Sequence, residues 1–165
     1  MLLKTLLGIC LWRANPQDLP TSNPLMFAAL VAYGLVDVIG VLDSLSLNNA
    51  LLAAAVDMLL LVAATHLVLR WRNLENRFPQ TLLALAGCGA LLSLLAWTTA
   101  GLTRGGLDPA WVWAPFLVWY ILVFGHVLRQ ALAISMVASV TASFLYLVLS
   151  MGVTGLFVNL PPVAN

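Results

Sequence analysis

Charge is scarce in this chain. Of its 165 residues, 8% are Asp, Glu, Lys or Arg, against about 25% in a soluble domain. A water-exposed surface cannot be built from so little, which excludes an ordinary soluble enzyme and a disordered tail. Neither sign dominates. Seven basic and six acidic residues leave a net charge of +1, with no basic patch for nucleic acid and no acidic block for cations. Cysteine is nearly absent. Cys10 and Cys88 are too far apart in sequence for a CxxC motif and too few for a disulfide framework or a zinc site. They read as small buried apolar residues. No G-x-S-x-G, H-E-x-x-H, P-loop or G-x-G-x-x-G occurs. No metal or cofactor is therefore expected.

Apolar residues fill the space left by charge. They make up 62% of the chain, and the mean hydropathy is +1.02. Both figures point to an integral membrane protein of the all-α class. A spanning helix needs about 20 apolar residues. Five segments qualify: Pro24–Leu42, Asn49–Leu69, Gln80–Leu102, Ala110–Gly125 and Ala133–Phe157. They are separated by the short polar turn Asp43–Asn48, the polar stretch Trp71–Pro79, the Gly- and Pro-containing loop Thr103–Pro109, and His126–Leu132. Gly125 is read as a helix stop. Pro115 is expected to kink the fourth span or lie in its first turn.

Ahead of the spans, residues 1–13 are too short to cross and are punctuated by Lys4 and Arg13. No small-x-small cleavage site follows, so the segment is read as retained. It is expected to be an interfacial amphipathic helix with Trp12 at headgroup level. Residues 14–23 hold two prolines, with Pro24 just after, and read as a polar linker. The organisation expected is thus an interfacial helix over 1–13, a linker over 14–23, a five-span bundle over 24–157 and a tail over 158–165.

With five spans, Lys4, Arg13, Arg70, Arg72, Arg77 and Arg129 share one side. Arg104 lies on the other with Asp43 and Asp108. The positive-inside rule then gives a cytoplasmic N terminus and an outside C terminus. In a bacterium the membrane would be the inner one.

Helices in lipid approach closely where small residues line them. Ala86, Gly89, Ala90 and Ser93 form such a stripe in the third span. Ala131, Ser135, Ser139 and Ser143 form another leading into the fifth. Both are expected to pack against helices, of this chain or of a second copy.

An ionisable residue inside a span marks a site by default. Asp37 and Asp57 each stand ten residues from Leu47, in the first turn. At 1.5 Å per residue they share one depth, about 10 Å below the outer surface. Two carboxyls at one level would suit a proton relay, a cation site or an acid–base dyad. Alternatively, one is held by Tyr33 or a serine, or lines a watery vestibule. His66 and His126, near the basic ends of their spans, are expected to contact headgroups. Arg70, Trp71, Arg72 and Arg77 could hold an anionic headgroup or act only as determinants of orientation.

Two stretches stand out, Arg77-Phe-Pro-Gln-Thr-Leu-Leu-Ala-Leu-Ala-Gly-Cys-Gly-Ala90 and Trp119-Tyr-Ile-Leu-Val-Phe-Gly-His-Val-Leu-Arg-Gln-Ala-Leu-Ala-Ile-Ser135. With the five-span pattern, both resemble the Yip family. Members are five-span membrane proteins, and the eukaryotic ones interact with Rab-type GTPases. This chain lacks their long cytosolic N-terminal domain and their Asp-Leu-Tyr-Gly-Pro motif; Asp18-Leu-Pro20 is a distant echo. The resemblance implies a non-catalytic membrane protein and carries no catalytic residues.

The expectation is therefore a multi-pass adaptor, assembly or trafficking factor binding membrane partners or lipids, with self-association open. One alternative is a small oligomeric transporter or channel subunit using Asp37 and Asp57. A second is a lipid-acting intramembrane enzyme using the same two residues as acid and base.

Overall fold

A computed structural model describes residues 2–42, 44–102 and 109–158. The fold is all-α, with no strand among the described residues. Six helices follow one another: α1 (Leu2–Cys10), α2 (Asn23–Val41), α3 (Leu47–Trp71), α4 (Phe78–Leu102), α5 (Pro109–Leu132) and α6 (Met136–Val158). Two 3₁₀ turns, Pro16–Asp18 and Glu75–Arg77, precede α2 and α4. Helices α2 to α6 are each long and apolar enough to cross a membrane. The chain is thus an integral, multi-pass type of protein. Asp43, Arg104, Asp108 and the tail after Val158 lie outside the described residues.

Helix α4 is the central post. Residues 81–90 are buried without interruption, because α1, α2, α3 and α5 all pack on it. Its glycines set those distances. A Cβ on Gly89 would lie 2.9 Å from Cε2 of Tyr33, and one on Gly87 would lie 2.9 Å from Cδ2 of Leu6. The first stripe is consumed inside the chain. Ala86 is fully buried, Ala90 and Gly89 are buried, and Ser93 is half-buried.

Helix α5 does not stop at Gly125. It runs seven residues further, to Leu132. Gly125 instead permits close approach: its absent Cβ would lie 3.3 Å from the Cα of Val140 on α6. Helix α5 ends where Ala133 takes a φ of 52°, a left-handed C-terminal cap. Ser139 and Ser143 are buried as the stripe requires, whereas Ser135 packs against no helix of this chain. It is exposed and precedes α6, where its Oγ accepts a hydrogen bond from the Ala138 amide at 3.3 Å. A serine at a helix start serves the orphan amides there rather than a neighbouring helix.

The N-terminal segment is tied into the bundle. Helix α1 packs one face against α4 and α5 and leaves Leu3, Leu7, Leu11 and Trp12 exposed beside it. Ile9 is fully buried, with Leu6 and Cys10 nearly so. Leu6 meets Gly87, about 14 Å along α4 from Phe78. Trp119 Nε1 donates a 3.0 Å hydrogen bond to the carbonyl of Cys10. Cys10 and Cys88, remote in sequence, are brought within interaction range. The linker is docked too. Pro16 and Leu19 are buried, and Gln80 Nε2 donates to the Leu19 carbonyl at 2.8 Å. His126, expected at headgroups, is buried. Its Nε2 lies 3.2 Å from the Ala14 carbonyl, and its ring stacks on Trp12 at 5.9 Å. His66 is exposed, edge-on to Phe78 at 5.5 Å.

Candidate functional site: an acidic cavity between the helices

The α2–α3 hairpin places two aspartates opposite one another. Tyr33 and Asp37 are one helical turn apart on α2 and so share a face. That face meets α3 because Gly89 of α4 leaves room for the Tyr33 ring. The Tyr33 hydroxyl donates to Oδ2 of Asp57 at 2.6 Å. The Ser150 hydroxyl, from α6, donates to Oδ1 of the same carboxyl. Three helices therefore converge on Asp57, which is buried.

Asp37 is half-buried and close enough to Asp57 for the two carboxyls to interact. Both line a cavity of about 190 Å³. Its polar lining includes Tyr33, Ser93, Tyr120, Ser150 and Thr154 besides the aspartates. Trp113 and Phe116 supply an aromatic wall. Tyr120 is held by stacking on Phe124 at 4.1 Å and lies with its hydroxyl 3.5 Å from that of Tyr33. No lysine, arginine or histidine lines the cavity among the described residues. Two carboxyls with no basic side chain beside them in the lining favour a positive occupant. No cluster of three or more metal-type ligands exists among the described residues.

The basic group lies at the other end of the bundle. Arg77 Nη1 donates to the Ala131 carbonyl at 3.0 Å and the Gln130 carbonyl at 3.5 Å. Arg72 Nη2 donates to the Leu132 carbonyl at 3.5 Å. Both arginines thus cap the C terminus of α5, where carbonyls lack helical partners and the dipole is negative. Arg70 and Trp71 are exposed and carry no such duty. Of the four residues grouped for a headgroup, then, two are engaged with the protein's own backbone.

Sequence reasoning reached Asp37, Asp57 and, as a partner, Tyr33. It missed Tyr120, Ser150, Thr154 and the aromatic wall. A signal existed. The Ser139, Ser143 spacing continues through Tyr146, Ser150 and Thr154 at steps of three and four, a single polar face running the length of α6. Set against protein-family models, curated proteins and solved structures, the chain matches none of them.

Proposed function

We propose that this is a non-enzymatic multi-pass membrane protein that takes a small cationic solute into the cavity at Asp37 and Asp57, as a transporter or channel component. In this reading the N terminus is cytoplasmic and the C terminus outside, which the clustering of Arg70, Arg72, Arg77 and Arg129 at one end of the bundle supports under the positive-inside rule. The cavity then faces the outer half of the bilayer. The observation that carries the reading is two carboxyls on one cavity whose lining holds no basic side chain among the described residues.

Two rivals lose support. An adaptor was favoured by the small-residue stripes, but Ala86, Gly89, Ala90, Ser139 and Ser143 are buried against helices of this chain and offer no face to a partner. An acid–base enzyme would turn both carboxyls to substrate, whereas Asp57 ties α2 and α6 together through Tyr33 and Ser150. The Yip-like stretches agree with a non-enzymatic role, and GTPase binding is not carried over.

Thiol chemistry tests it. A Ser93→Cys variant places a reporter on the cavity wall. A cationic trimethylammonium methanethiosulfonate is expected to label it about tenfold faster than an anionic sulfonate analogue. Asp37→Asn is expected to remove most of that preference. Equal rates for the two reagents, or no labelling by either, contradict the reading.

A further inference from the structure

Resting on that reading, the chemistry of the occupant can be narrowed from three further features of the cavity. The first is size. At about 30 Å³ per water, 190 Å³ holds about six waters. It lies below the roughly 300–1,000 Å³ usual for drug-sized ligands, so the occupant is a small molecule or ion.

The second is the apolar part of the lining. Trp113, Phe116 and Tyr120 contribute aromatic side chains to the cavity. Aromatic faces attract cations, most strongly when water is excluded. Leu92, Leu117 and Leu147 add aliphatic surface. A lining of this kind favours a cation that carries a hydrocarbon body.

The third is the charged part of the lining. Asp57 already accepts hydrogen bonds from Tyr33 and Ser150, and no hydrogen bond joins Asp37 to another described residue. Asp37 is thus the carboxyl left to meet a charged ligand. With no group of three or more metal-type side chains among the described residues, the lining suits an N–H donor better than a divalent metal, which collects several carboxylates.

We propose that the cavity binds a small organic ammonium ion, its charged nitrogen on the Asp37 carboxylate and its hydrocarbon portion against Trp113 and Phe116. Asp57 serves as a positioning residue, holding α2, α3 and α6 around the site through Tyr33 and Ser150.

The test is calorimetric titration of the full chain in lipid nanodiscs with butylammonium chloride. 1-Butanol serves as the neutral isostere, and sodium and magnesium chloride as inorganic competitors. Saturable binding of butylammonium is expected, with no saturable binding of 1-butanol and no competition by either metal ion. Asp37→Asn is expected to weaken binding at least about tenfold, and Trp113→Leu about three- to tenfold. Trp113 is partly exposed and outside the Asp57 network, so its variant carries the test if Asp37→Asn does not fold. Equal binding of 1-butanol, displacement by sodium or magnesium, or no butylammonium binding overturns the proposal. If butylammonium fails while Ser93→Cys still prefers the cationic reagent, the ammonium assignment falls and the cation-site reading stands. If both fail, the reading falls with it.

Discussion

The hydroxyl of Tyr33 on α2 donates a 2.6 Å hydrogen bond to Oδ2 of Asp57 on α3. With Ser150 of α6 on the other oxygen, one buried carboxyl joins three membrane helices. A polar group at this depth costs free energy unless its partners are present, so the network should be coupled. Tyr33→Phe and Ser150→Ala are each expected to destabilise the protein by about 1–3 kcal/mol. The double variant should cost something other than their sum, because both remove donors from one carboxyl. Reversible unfolding in mixed micelles measures all three; strict additivity would contradict the coupling.

Gly89 sets the position of Tyr33. Gly89→Ala forces a methyl group to within 3 Å of the phenol ring, at an expected cost of about 1–3 kcal/mol. Gly40→Ala, with nothing within 4 Å of the added carbon, should instead stabilise α2 by up to about 1 kcal/mol. The opposite signs, read from the same unfolding transition, check that α2 and α4 touch where described.

Arg77 and Arg70 are neighbours in charge but not in duty. Arg77→Ala removes two hydrogen bonds to the end of α5 and is expected to cost about 1–2 kcal/mol. Arg70→Ala, at an exposed position, is expected to stay within about 0.5 kcal/mol of wild type. Equal losses in thermal unfolding would contradict the capping role.

Much of this organisation could be read from residues alone, and the boundary of what could not is physical. Spans are legible because apolar runs contrast with the polar breaks at Asp43–Asn48 and Trp71–Pro79. The shared depth of Asp37 and Asp57 follows from counting outwards from Leu47. Rotation about each helix axis does not follow from counting, so the convergence of Ser150 and Tyr120 on the aspartates was not legible. Gly125 shows a second limit. A glycine ends some helices and lets others approach, and only Val140 across from it decides. The docking of α1 shows a third: Leu6 is held by a notch at Gly87, eighty-one residues away.

That docking is itself testable. Ile9→Ala removes the most buried side chain of α1, at an expected cost of about 2–5 kcal/mol to the local contact. Cys10, now shielded, should then react with a membrane-permeant maleimide much faster than in the wild type. Unchanged labelling would mean that α1 is held by something other than this packing.

Ala133 holds a left-handed φ of 52° at the end of α5, a conformation that costs an L-residue about 1–2 kcal/mol. Ala133→Gly is expected to stabilise the protein by about 1 kcal/mol, seen as a rise in the unfolding midpoint. A fall would contradict the cap.

The most direct measurement concerns which side of the membrane reaches which end of the bundle. Thr154 lies on the cavity and Arg72 at the capped end of α5. In sealed, right-side-out vesicles, an impermeant thiol reagent is expected to label Thr154→Cys from outside and Arg72→Cys only after the membrane is opened. Labelling of both from the same side would contradict the odd number of crossings, and labelling of Thr154→Cys only from within would contradict the outward-facing cavity.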